Sequence, residues 1–230
     1  MKVTLISDTH SKHKQITDHL PGGDLLIHAG DMSSRGYLHE IQQFCKWFDS
    51  LSYTCKVFIA GNHDFGFEVH GEETQQILNS YKWITYLQDS DMLFGETPDR
   101  CVKIYGSPWS PRFYDWAFNA DKGADIKQHW DKIPDDVDIL VTHGPAFGIL
   151  DTVEGRRDVH LGCEDLLQAI KRVKPKIHVC GHIHSGYGYQ YSEETDTHYF
   201  NVAVLNEQYI YTQKPISFEW DVTQNKIEFI

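Results

Sequence analysis

Short apolar runs recur along the first 180 residues, each too short for a helix and bounded by polar or glycine-containing segments. Val3 to Ile6, Asp24 to His28, Lys56 to Ala60, Val102 to Tyr105, Asp138 to Thr142 and Lys176 to Cys180 read as strands. Between the second and third, Leu38, Ile41, Phe44, Cys45, Phe48 and Leu51 fall at helical spacing. Leu166, Leu167, Ile170 and Val173 mark a second amphipathic helix before the last of these strands. From about residue 197 onward the pattern is strand-like: Tyr199 to Val204, Ile216 to Val222 and Lys226 to Ile230, with Gln224-Asn225 as a hairpin turn. This predicts an α/β chain whose β-rich C-terminal part closes a second sheet.

Five of the predicted strands end in the same kind of residue. The first ends in Ser7-Asp8-Thr9-His10 and the second in Gly30-Asp31. The third ends in Gly61-Asn62-His63-Asp64, the strand at 138–142 in His143-Gly144, and the strand at 176–180 in Gly181-His182-Ile183-His184. In open α/β sheets, ligands sit outside the carboxyl ends of strands, so five such ends can converge on one crevice. Asp, Asn and His are ligands for mid-series divalent metals. At an extended strand end, residues at i and i+2 point to one side, so Asp8 with His10, and His182 with His184, could each reach one ion. Two ligand carboxylates (Asp8 and Asp31), two divalent ions and one hydroxide leave a formal charge of about +1, suited to an anionic phosphate. Asp24 and His28 fit no such pattern and read as structural.

The ordered set D-x-H, G-D, G-N-H-D, H and G-H-x-H resembles the calcineurin-like metallophosphoesterase superfamily. Ser107-Pro108-Trp109, Thr142-His143-Gly144-Pro145, His160-Leu161-Gly162-Cys163 and Cys180 to Gly188 resemble its small metallophosphodiesterase branch, the MPPED-like proteins. The resemblance covers residues 7 to about 205. It implies a four-layer αββα sandwich of two mixed sheets flanked by helices, here as one domain over residues 1–230. It also implies two metal ions, Mn²⁺ first, with Fe, Zn, Ni or Mg as alternatives. Asp8, His10, Asp31 and His184 would hold one ion; Asp31, Asn62, His143 and His182 would hold the other. The implied reaction is phosphodiester hydrolysis by hydroxide held between the ions, on small diesters such as cyclic nucleotides. Phosphomonoester hydrolysis of nucleotides or phosphoproteins, or a non-catalytic scaffold of the same fold, are the alternatives.

His63 adjoins Asn62 without belonging to the implied ligand set, which makes it the natural general acid for an alkoxide leaving group. Asp64 has two readings: it orients the His63 imidazole, or it caps the turn. Arg112 either grips a substrate phosphate or lies on the surface, and Trp109 either stacks on substrate or packs the loop. Arg156 and Arg157 could line the cleft, and His160 and Tyr187 could flank it.

Composition narrows the partners. Twenty-one basic against 33 acidic residues give a formal charge of −12, which repels duplex nucleic acid and anionic membranes. The expected partner is therefore a small phosphate ester, with oligomeric state unspecified. Five cysteines, an odd number with no C-x-x-C pair, suit buried thiols in a reducing compartment. With no apolar run of membrane-spanning length, a cytoplasmic location is expected.

Overall fold

The computed structural model describes residues 1–95 and 101–230. The chain first lays down β1 (Lys2–Ile6), β2 (Gly23–Ala29), β3 (Tyr53–Ile59) and β4 (Thr85–Tyr86), all parallel neighbours. It then crosses to a second sheet with β5 (Ser90–Phe94) and β6 (Val102–Ser107), paired antiparallel. A two-stranded ribbon follows, β7 (Ser110–Pro111) with β8 (Asn119–Ala120). Next comes β9 (Ile139–Thr142), a second ribbon of β10 (Thr152–Val153) and β11 (Arg156–His160), then β12 (Ile177–Cys180), β13 (Gly188–Ser192) and β14 (Thr197–Asn201). Finally β15 (Ile216–Asp221) and β16 (Lys226–Phe229) return to the first sheet.

The two large sheets run β16-β15-β1-β2-β3-β4 and β13-β14-β12-β9-β6-β5. Both are mixed: four parallel strands apiece, with antiparallel strands at the margins. They pack face to face over a shared core. Alternate residues supply it: Val3 and Leu5, Leu25 and Ile27, Val57 and Ile59 from one sheet, and Ile104, Ile139, Val141, Ile177 and Val179 from the other. The intervening positions of the first sheet, Ile6, Leu26 and Phe58, meet α1 (Leu38–Asp49) through Ile41, Phe44 and Phe48. Two further helices, α2 (Gly66–Val69) and α3 (Gly71–Leu78), extend this layer. Tyr105, Leu140 and Tyr199 of the second sheet meet α4 (Ala124–Trp130) and α5 (Glu164–Val173) through Ile126, Trp130, Leu166 and Ile170. The result is the expected αββα sandwich. Strands buried on both faces explain the continuous apolar runs in the sequence, with each fully buried Ile, Leu or Phe contributing about 1.5–3 kcal/mol.

One expectation is corrected. Of the C-terminal strands, only β14 joins the second sheet, while β15 pairs with β1 and β16 with β15. The chain end thereby covers the open edge of β1. The Gln224-Asn225 turn is present between β15 and β16, with Asn225 at φ 48°.

Candidate metal centre

All five strand-end segments lie at the carboxyl ends of parallel strands, β1, β2 and β3 of one sheet and β9 and β12 of the other. They meet where the two sheets face each other. Asp8, His10 and His184 bring ligand atoms within 4.8 Å of one another, and so do Asp31, His143 and His182. His10 and Asp31 link the two groups, at 3.7 Å between Nε2 and Oδ2. Asn62 completes the second group, its Oδ1 2.8 Å from His143 Nε2. His63 brings a ring nitrogen within the same 4.8 Å of His10 and Asp31.

The backbone reaches this arrangement by a route other than extension. Asp8, His10, Asp31 and His182 all have positive φ, between 38° and 66°. Such residues cost of order 1–3 kcal/mol each and concentrate at functional sites. The i, i+2 expectation for extended strand ends therefore fails in mechanism. It also fails in outcome for His182 and His184, which go to different groups. Gly181 is required by space: a Cβ there would collide with the Asp8 carboxylate and the Ser7 hydroxyl. Gly30, at φ 96°, leaves no room for a Cβ beside His143 and Ala60.

Hydrogen bonds fix the imidazoles. His143 Nδ1 lies 3.0 Å from Ala29 O, and His184 Nδ1 lies 3.0 Å from Asn206 O. Each carbonyl accepts an N–H, so each Nε2 is left facing the centre, as in histidines that bind metals. Asp8 accepts from His182 N at 3.1 and 3.0 Å and from Ser7 Oγ. Asn201 Nδ2 donates to Ile183 O and Leu150 O at 2.9 and 3.1 Å, stapling the Gly181–His184 turn; no motif in the sequence pointed to it.

Without an ion the site balances its own charge. Burial alone would raise Asp8 and Asp31, but the neighbouring His184 and His143 hold both carboxyls below the usual range. Burial likewise opposes protonation of His143 and His184, yet the same carboxylates lift each to about 9. Burial dominates at His10 and His182, which drop to about 4. Both ring nitrogens of His10 are buried with no hydrogen-bond partner. A buried group without a partner is costly, and an imidazole nitrogen among two carboxylates is a metal donor awaiting its acceptor. The residues therefore fit two divalent cations.

Two assignments from sequence are corrected. Asp64 does not touch the His63 ring: it is fully buried and accepts from Gly61 N, Met32 N, Ser33 N and Ser33 Oγ. Burial and the Asp31 carboxylate push it above the usual carboxylate range. It clamps the ends of β2 and β3 together. The carbonyl of Ser34 takes the orienting role instead, 2.9 Å from His63 Nδ1. Arg112 and Trp109 are not part of the centre. Arg112 pairs with Asp121 at 2.6 Å on the surface, and Trp109 stacks on His129 with ring centroids 3.8 Å apart and meets Phe118 edge-on.

Aromatic walls do border the centre, from other residues. Trp116, seven positions after Trp109 and between β7 and β8, has its ring centroid 4.3 Å from that of His63. Tyr209 lies 4.8 Å from the His10 ring and 5.5 Å from that of His184. Its turn carries no motif, and only the fold brings it here. His160 pairs with Asp151 at 2.7 Å, and Tyr187 Oη donates to Lys214 O; Arg156 is exposed, and the side chain of Arg157 lies outside the described residues.

Comparison with known proteins agrees with this geometry. The profile of the calcineurin-like phosphoesterase family matches residues 1–186. Human metallophosphoesterase domain-containing protein 1 is 36% identical over 241 residues, spanning 96% of this chain and 71% of its own. Among solved structures, TT1561 of Thermus thermophilus superposes with a TM-score of 0.62 at 10% identity, covering 100% of this chain and 97% of that one. The phosphopantetheinyl hydrolase PptH from Mycobacterium tuberculosis gives 0.61 at 13% identity, covering 90% of each chain. At such identities these two share the fold.

Proposed function

Because the chain belongs to the calcineurin-like phosphoesterase family and is thus a metal-dependent phosphoester hydrolase, we propose that it is a phosphodiesterase acting on small diesters such as cyclic nucleotides. The observation that carries the reading is the pair of buried donor groups joined at Asp31, with an imidazole outside them. Asp8, His10, Asp31 and His184 would hold one ion; Asp31, Asn62, His143 and His182 would hold the other. Family members typically hold two metals. The ions, manganese first among candidates, would generate a nucleophile from water near neutral pH and steady the phosphoryl oxygens.

The chain's own residues do the rest. His63 hands a proton to the departing alkoxide. With Nδ1–H committed to Ser34 O, transfer takes place at Nε2. The tilted contact with Trp116 and the edge contact with His10, with ring centroids 4.3 and 4.6 Å apart, keep the ring from turning away. Asp31 Oδ1 accepts from His63 N at 2.8 Å, so the loop that carries the acid is tied to the shared carboxylate. Trp116 and Tyr209 offer apolar surface to the ester substituents, which a diester has on two sides.

The test is a panel of matched diesters and monoesters with Mn²⁺ supplied, compared by kcat/KM. The reading expects the diester to lead by at least about tenfold, near 1.4 kcal/mol of transition-state discrimination. A lead for the monoesters would return the chain to phosphatase chemistry.

A further inference from the structure

Each large sheet carries one fully buried histidine that the mechanism does not use, His28 on β2 and His178 on β12. Both point away from the shared core. His28 meets Phe44 and Phe48 of α1 edge-on, with ring centroids 5.0 and 6.4 Å apart. His178 alternates with the core residues Ile177 and Val179, and its ring lies edge-on to Tyr199 at 5.6 Å. An apolar side chain would suit either place, and burying an imidazole there costs free energy unless its polar atoms are bonded. His28 Nδ1 is in fact buried without a partner.

What each ring gains is one bond, through Nε2, to a threonine at the end of the neighbouring parallel strand. His28 Nε2 lies 3.0 Å from Thr9 Oγ1, and His178 Nε2 lies 2.8 Å from Thr142 Oγ1. Thr142 gives its single hydroxyl hydrogen to Gly144 O at 2.8 Å, so its oxygen accepts from His178 Nε2–H. The Thr9 hydroxyl reaches Met32 O in the same way, at a longer 3.5 Å. Burial pushes both imidazoles down, to about 3, which keeps each neutral. Both threonines adjoin the metal centre. Thr9 lies between Asp8 and His10, and Met32 follows Asp31; Thr142 and Gly144 flank His143. The same relay of imidazole, hydroxyl and backbone carbonyl therefore enters a ligand-bearing turn in each sheet.

We propose that His28 and His178 are positioning residues for the two ions, one in each sheet. Through Thr9, His28 fixes the turn of Asp8 and His10 and hence one ion; through Thr142, His178 fixes His143 and hence the other. The proposal rests on the two-ion reading of the centre and not on the choice of diester over monoester.

Calorimetric titration of the chelator-treated full chain with Mn²⁺ tests it. The wild type should show two bound ions. His28→Leu should weaken one of them about 10–100-fold, His178→Leu should weaken one by a similar factor, and the double variant should weaken both. Thr9→Val and Thr142→Val, which remove the hydroxyl and keep the shape, should reproduce the respective losses. Thr9→Ser and Thr142→Ser, which keep the hydroxyl, should bind both ions as the wild type does. Adding His28→Leu to Thr9→Val should weaken binding no further, since one relay is already broken. If a leucine variant does not fold, the valine and serine variants decide. Wild-type affinity for both ions in the valine variants, with only the melting temperature lowered, would make the relays purely structural and overturn the proposal. So would a double variant weakened at one ion alone. Fewer than two ions bound by the wild type would overturn the two-ion reading as well.

Discussion

His63 shows how much one residue's neighbours decide. The sequence marks it as a histidine beside Asn62, and that position is what proposes it as the acid. Its orienting partner was not legible, because Ser34 is 29 positions away and contributes only a backbone carbonyl. Asp64, the adjacent and chemically plausible partner, is occupied with donors about 30 residues upstream. Two outcomes follow at this scale. His63→Ala should keep its metal content and lose about 10²–10⁴ in rate on esters with alkoxide leaving groups, but little on nitrophenyl esters, whose leaving group needs no proton. Steady-state rates on the two kinds of ester check this, and an equal loss on both would give His63 a binding role. Asp64→Ala strands several buried donors at about 1–3 kcal/mol each. Its melting temperature should therefore drop by many degrees, whereas a purely catalytic Asp64 would leave it unchanged.

At the scale of elements, the parallel strands were legible because burial on both faces writes an unbroken apolar run. The edge strands β5 and β13 were not, since Ser90–Phe94 and Gly188–Ser192 are mostly exposed and carry mixed side chains. Nor could periodicity say which sheet β15 would join, because its partner β1 lies more than 200 residues earlier. The motif residues were legible as a set, but their left-handed backbone was not. Hydrophobic pattern carries no signal for a turn made by Asp8, His10, Asp31 and His182. At the end of β12, Gly181 leaves the room that the Asp8 carboxylate and the Ser7 hydroxyl of the other sheet occupy. Gly181→Ala should push Asp8 aside, lower bound metal below two per chain and reduce turnover at least about 100-fold, with far-UV circular dichroism retained. Elemental analysis with two metals still bound would contradict that role for the glycine.

Across the whole molecule, metal, protons and stability are linked. In the metal-free chain, against the cost of burial, Asp31 and Asp8 lift His143 and His184 from 6.5 to about 9. A raised folded-state pKa contributes stability that is complete below 6.5 and lost as pH rises through 9. The metal-free chain should thus melt at progressively lower temperature between pH 6.5 and 9. Divalent ions displace those protons, so binding near pH 7 should release protons and tighten with pH over the same window. Scanning calorimetry with and without Mn²⁺ checks both signs. The acidic surface and the absence, among the described residues, of any helix long and apolar enough to cross a membrane leave the centre between the sheets as the feature to test. The most direct measurement is hydrolysis of bis(4-nitrophenyl) phosphate by chelator-treated protein during titration with Mn²⁺. Turnover should be absent at the start, and should rise to a plateau at two bound ions per chain. Full turnover in the metal-free protein, or a plateau at one bound ion, would contradict the two-metal account.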